Sequence, residues 1–171
     1  MQQALAGKRV LVSQASVFMG PTLCEVFVEQ GADVATSTDD LLDPGAAGVT
    51  HEWREIFAAL VDPLPRLIRA AVPAMVARRA GKVLVMGSAS ALRGMKRAST
   101  YSAARGAQLA YVQAVGVELA PHHVQVNAIA QNFVDNPTYF PPEVQANPRF
   151  QERLKREVPL GRLVSAREDA E

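Results

Sequence analysis

Residues 8–36 read Lys8-Arg-Val-Leu-Val-Ser13-Gln14-Ala-Ser-Val-Phe18-Met19-Gly20-Pro21-Thr-Leu23-Cys24-Glu-Val26-Phe27-Val-Glu-Gln30-Gly31-Ala-Asp33-Val-Ala-Thr36. Lys8 to Ser13 is a short β-branched run, the pattern of a buried parallel strand. From Pro21 to Gln30 the apolar positions Leu23, Val26 and Phe27 recur at helical spacing. Proline is tolerated in the first turn and glycine favoured just past the last, so Pro21 and Gly31 bracket a helix. Asp33 to Thr36 follows as a second strand. Strand, turn, helix, strand is the opening of a doubly wound α/β fold.

Outward from this unit, residues 37–49 carry Asp39, Asp40, Asp43, Pro44 and Gly45, a loop composition. His51 to Arg79 has helical periodicity through Ile56, Leu60, Leu64, Leu67, Ile68 and Val72. Pro63, Pro65 and Pro73 are expected to bend or break it. Gly81-Lys-Val-Leu-Val-Met-Gly87 is a further buried strand with Ser88 at its carboxyl end. A helix from near Ser99 to about Ala120 and a strand Val124-Gln-Val-Asn-Ala-Ile129 come next. Pro137, Pro141, Pro142 and Pro148 mark a loop that leads to an amphipathic helix around Phe150 to Glu157. Ser165-Ala-Arg-Glu168 is a capping box, which opens a helix. Glu171 ends it within two turns, too short to nucleate alone, so the sequence reads as cut at its C-terminus.

The length of 171 residues predicts one domain, 1–171. Hydrophobic residues at 49% and charged residues at 20% are globular proportions. A net charge of +1 leaves no electrostatic footprint for nucleic acid and no polybasic membrane patch. No apolar run reaches the roughly 18 residues of a membrane span, and the N-terminus lacks the order of a signal peptide. These features predict a soluble cytoplasmic domain. The single cysteine, Cys24, excludes an internal disulfide and a cysteine zinc cage, and is expected in the core. His51, His122 and His123 have no metal-ligand spacing, so no metal is expected; the last two are read near a helix C-terminus. Trp53 has no evident partner.

The first chemical constellation is Ser88, Tyr101 and Arg105. Tyr101 and Arg105 lie four apart on one predicted helix and share a face. Ser88 stands at the carboxyl end of a strand, where open α/β sheets place their ligands. A permanently charged guanidinium favours a phenolate, which makes a tyrosine beside it a candidate general base. The Ser88 hydroxyl would hold a substrate oxygen. A Tyr-x-x-x-Arg on a helix is also commonplace, and only its placement after a Gly-Ser strand end raises it above that.

Ser88…Tyr101-x-x-x-Arg105 resembles the active site of the short-chain dehydrogenase/reductase superfamily, with Arg where its oxidoreductases carry Lys. Val83-Leu-Val-Met-Gly-Ser88, Tyr101-Ser-Ala-Ala-Arg-Gly-Ala107 and the Val124–Ile129 stretch carry the same resemblance. Two further departures make the sequence similar to the halohydrin dehalogenases, a cofactor-free branch. Where the oxidoreductases have Thr-Gly-x-x-x-Gly-x-Gly, whose glycines admit a pyrophosphate, this chain has Ser13-Gln14-Ala-Ser-Val-Phe18-Met19-Gly20. Phe18 occupies space that phosphates need, so no nucleotide cofactor is expected; alternatively Phe18 plugs a helix–strand seam. Gln131 and Asn132 stand in place of the usual Pro-Gly. The resemblance implies that Phe18, Gln131, Asn132, Phe133 and Val134 wall a halide and nucleophile pocket, with Tyr139 as a further wall. Asn132 as a turn cap and Phe133 as core remain open beside that reading.

The resemblance implies a Rossmann-like parallel sheet reduced in strand number. Between Thr36 and His51 the chain lacks the family's helix, Asn-ended strand and helix start, since one βαβ unit needs about 30 residues. Either the chain is a shortened family member, or its first strand pairs directly with the Val83 strand. The implied activity converts vicinal haloalcohols to epoxides plus halide, and opens epoxides with azide, cyanide, nitrite or halide. The alternatives are an atypical NAD(P)-dependent oxidoreductase and an inactive truncated member. The family forms homo-oligomers, so a dimer or tetramer is expected.

Overall fold

The computed structural model describes residues 3–37 and 53–171. The expected loop from residue 38 onward and His51 lie outside the described residues. The chain packs as two compact units. One holds the described residues of 1–40 and 133–171, the other those of 41–132.

In the first unit, β1 (Arg9–Ser13), α1 (Gly20–Glu29) and β2 (Asp33–Ser37) form the strand–helix–strand expected from sequence. β1 and β2 pair in parallel, from Arg9 opposite Asp33 to Ser13 opposite Ser37. Pro21 sits in the first turn of α1. At the other end Gly31 takes φ 84°, its N–H bonds the Val28 carbonyl, and the Ala32 N–H bonds that of Phe27. This Schellman motif stops the helix because a left-handed residue turns the last carbonyls onto the following amides. Val12, Met19 and Val26 are buried at this seam. Cys24 is half-buried rather than core.

The C-terminal part of this unit adds α6 (Pro142–Gln145), α7 (Pro148–Glu157) and α8 (Ala166–Ala170). A parallel bridge joins Val134 to Val164. The Ser165 hydroxyl accepts from the Glu168 N–H, and the Glu168 carboxylate accepts from the Ser165 N–H, so the expected capping box is formed. Arg162 grips the same carboxylate with two N–H groups at 2.9 and 2.7 Å. Arg167 of α8 pairs with Glu29 of α1. One short helix thus gains from the side chains around it the support it cannot give itself.

Arg162 and the capping amide hold the Glu168 carboxyl down from 4.5 to about 2. A depressed carboxylate stabilises the fold above its unfolded value and ceases to do so as pH falls through its folded one. Protection of the Glu168 amide, its exchange rate relative to the free-peptide rate at the same pH, should therefore be full at pH 6 and fall between pH 4.5 and about 2. An Arg162→Ala variant should move that loss of protection toward pH 4.5. Equal profiles in the two proteins would remove the clamp.

The second unit contains α2 (Trp53–Leu60), α3 (Pro63–Ala77), β3 (Gly81–Met86), α4 (Ser90–Arg93), α5 (Ser99–Leu119), a 3₁₀ turn (Ala120–His122) and β4 (Val124–Ile129). The break expected between His51 and Arg79 falls at Val61–Asp62, with Pro63 opening α3, where its missing N–H costs nothing. Pro73 lies inside α3 without ending it. β3 and β4 pair in parallel, from Gly81 opposite Val124 to Met86 opposite Ile129. The ladder continues through Gly87 N–H to Ile129 and Ala89 N–H to Gln131. α5 packs on β4, where a Cβ at Gly116 would stand 3.4 Å from the Val126 carbonyl oxygen, and it buries Ala104, Gln108, Val112 and Val115.

The fold is α/β and Rossmann-like with parallel strands. Its four described strands form two pairs, β1–β2 and β3–β4. Direct pairing of the first strand with the Val83 strand is not among these ladders. Spacing along a chain does not say which strand edges meet.

Candidate active site

Ser88 follows β3 and precedes α4. Its Oγ accepts from the Ser90 hydroxyl at 3.0 Å and from the Ser90 N–H at 3.2 Å. Both bonds use Ser88 as acceptor, leaving its own O–H free to donate. Tyr101 and Arg105 lie one turn apart on α5, as their spacing predicts. The Arg105 guanidinium carbon stands 5.1 Å from the Tyr101 ring centroid, over its face. One Arg105 terminal N–H group (Nη1) donates to the Met86 carbonyl at 3.0 Å and to Gln108 Oε1 at 2.9 Å. Met86 is two residues before Ser88, so this bond ties the tyrosine-bearing helix to the serine-bearing strand. Arg105 Nε is buried without a hydrogen-bond partner. Within this unit Ser88, Arg105 and Gln108 line a cavity of about 10 Å³ with Val85, Ala91, Leu109 and Ile129, room for about one water.

The turn after β1 belongs to the other unit. Gln14 and Phe18, the residues at the first two glycine positions, have φ 55° and 51°. This is the left-handed region, in which non-glycine residues are uncommon. Gly20 is retained, and a Cβ there would stand 2.2 Å from the Gln14 carbonyl oxygen. Phe18 is 40% exposed, and its ring meets the Tyr139 ring edge-on, centroids 5.7 Å apart. Phe18 is therefore not the seam plug of the alternative reading. The glycines that a dinucleotide-binding turn carries at these two positions are replaced here by residues with side chains, while the third is kept.

The Gln131 carbonyl accepts from the Ala89 N–H at 2.8 Å, and Asn132 is half-buried in the same unit. Phe133 takes φ 55° and stacks on Phe140 at 5.7 Å, with Phe150 beside both and Arg153 over its face. Phe133 is half-buried in this aromatic cluster rather than in the core. Val134 is buried in the bridge to Val164. The structure thus brings Arg105 onto Tyr101 in one unit and Phe18 onto Tyr139 in the other.

Sequence reasoning missed Asn136 and Gln108. Asn136 is buried, donates to the Val134 carbonyl and accepts from the Tyr139 N–H, both at 2.8 Å, which fixes Tyr139. An Asn before Pro137 in a loop was its signal. Trp53 does have a partner, Phe57, stacked at 4.4 Å. Among the described residues no helix is long and apolar enough to cross a membrane, and no three acidic, His or Cys groups converge for a metal.

A family model described as enoyl-(acyl carrier protein) reductase matches residues 33–171. The chain belongs to the short-chain dehydrogenase/reductase family. It is 28% identical over 162 residues to an uncharacterized oxidoreductase of Bacillus subtilis, covering 86% of this chain and 64% of that protein. It is 31% identical over 120 residues to a 3-oxoacyl-[acyl-carrier-protein] reductase of Pseudomonas aeruginosa, covering 70% and 47%. The chain therefore spans about half to two thirds of these curated relatives. Among solved structures, a halohydrin dehalogenase bound to ethyl (2S)-oxiran-2-ylacetate superposes with TM-score 0.81 at 22% identity, covering 94% of this chain and 86% of that one. An L-sorbose reductase of Gluconobacter frateurii complexed with NADPH gives 0.83 at 18%, covering 99% and 89%. At these identities the superpositions speak for the fold alone.

Proposed function

We propose that this short-chain dehydrogenase/reductase member is a halohydrin dehalogenase that works without a nucleotide. Tyr101 takes the hydroxyl proton of a vicinal haloalcohol, with Arg105 supplying positive charge beside the ring. Ser88 donates to the same oxygen. That oxygen forms a bond to the neighbouring carbon as the carbon–halogen bond breaks, giving epoxide and halide. The carbon–halogen electron pair leaves with the halide, so there is no net oxidation or reduction, and no covalent enzyme intermediate forms, since the nucleophile is the substrate's own oxygen held in place. Run backward, the site opens epoxides with azide, cyanide, nitrite or halide. Phe18, Gln131, Asn132, Phe133 and Val134, with Tyr139, are the proposed surroundings of the anion. Homo-oligomerisation and a cytoplasmic location belong to the same reading. The observation that carries it is the turn after β1, where Gln14 and Phe18 stand at the glycine positions.

The second reading is an NAD(P)-dependent oxidoreductase, and the sequence relatives back it better, because they are reductases and dehydrogenases. It asks a nucleotide to pass Phe18 and Arg105 to replace a lysine whose proton it cannot mimic. Halide release from 1,3-dichloro-2-propanol without nucleotide, beside calorimetric titration with NADH and NADPH, separates the two. The expected result is release and no nucleotide heat. Nucleotide binding with no halide overturns the proposal in favour of the oxidoreductase. Neither signal from a cooperatively melting protein leaves an inactive family member.

A further inference from the structure

The buried stripe of α5 runs Ala104, Gln108, Val112 and Val115, and Gln108 is its one polar residue. A buried amide is costly unless its groups are bonded. Here Nε2 donates to the Leu60 carbonyl at 2.6 Å and Oε1 accepts from Arg105 at 2.9 Å. The orientation is dictated chemically, because a carbonyl only accepts and a guanidinium only donates. Leu60 ends α2, so its carbonyl is one that the helix leaves without an internal partner. The chain of bonds thus runs from the end of α2 through Gln108 to Arg105, and from Arg105 to Met86 on β3.

We infer that Gln108 is a positioning residue for Arg105, which it holds over Tyr101 without cancelling its charge. Both acceptors on the guanidinium, Gln108 Oε1 and the Met86 carbonyl, are neutral. Among the described residues Arg105 has no carboxylate partner. A glutamate at 108 would still accept from the guanidinium but would neutralise it and would lose the donor to the Leu60 carbonyl; an apolar residue would release it. This rests on the reading of Arg105 as the charge beside the catalytic tyrosine.

Two variants of the full chain, Gln108→Met and Gln108→Glu, test it. The first readout needs no activity: exchange of the Arg105 Nε–H, observed by ¹⁵N NMR and assigned by its loss in Arg105→Lys. Gln108→Met should speed that exchange about tenfold or more, while Gln108→Glu keeps it slow. The second readout is halide release, in which both variants should lose about tenfold to hundredfold in kcat with KM nearly constant, Gln108→Met by losing a hydrogen bond to a charged group and Gln108→Glu by cancelling that charge. If Gln108 only caps α2, Gln108→Met lowers the melting temperature and leaves Arg105 exchange unchanged, and the inference falls. It also falls if Gln108→Glu turns over at the wild-type rate. Should Gln108→Met fail to fold, Gln108→Leu replaces it. A wild-type chain that releases no halide defeats the dehalogenase reading, while the exchange measurement still decides what Gln108 does to Arg105.

Discussion

Tyr101→Phe should cost about 10²- to 10⁴-fold in halide release, the range of a lost general base, and leave the protein folded. The two effects separate because of where the ring sits. Tyr101 packs against the buried cluster of Ile56, Leu60 and Ala104, and Arg105 lies over its face. A phenylalanine keeps the ring in both contacts and removes only the oxygen proposed to accept the substrate proton. The melting temperature should move by no more than a few degrees, as for a substitution that opens no cavity. Halide electrode traces and thermal circular dichroism on the same two preparations measure both quantities. A variant that releases halide as fast as wild type excludes Tyr101 as base. One that loses activity together with its melting transition carries no weight, and Tyr101→Trp is then not a substitute, because its larger ring changes the packing.

The local elements were legible because their signals are local. Pro21 and Gly31 bound α1, β-branched runs mark β1 and β3, and Ser165 with Glu168 opens α8. Each depends on residues within a turn or two of one another. The pairing of the strands was not legible. Val83 to Met86 reads as a buried strand whichever neighbour it finds, and here it finds β4. The same limit applies to the site. Tyr101 and Arg105 meet because four residues on a helix always share a face. Gln108 sits on a stripe whose other members are apolar, and its role appears only with Leu60 beside it, 48 residues away. Phe133 is equally a pocket wall or core from sequence, until Phe140 and Phe150 gather round it.

Gly20→Ala should destabilise the protein by about 3 kcal/mol or more, at the upper end of overpacking costs. A Cβ at this position would stand 2.2 Å from the Gln14 carbonyl oxygen and 2.7 Å from the Cα and carbonyl carbon of Ala15. These are backbone atoms of the turn between β1 and α1, so no side chain can swing aside. The start of α1 would have to lift from the turn, opening the seam at Val12, Met19 and Val26. Gly106 supplies the internal control: it lies inside α5 with nothing within 4 Å of its would-be Cβ. Gly106→Ala should therefore stabilise by about 0.5–1 kcal/mol through helix propensity. Urea melts of the two variants should shift in opposite directions, and a Gly20→Ala midpoint equal to wild type would exclude the close approach. The contrast also separates two tasks that the family's glycine turn combines. Bringing helix and strand together requires a glycine at position 20, and it is still there. Bringing backbone to a pyrophosphate requires glycines at 14 and 18, and there the chain carries Gln14 and Phe18.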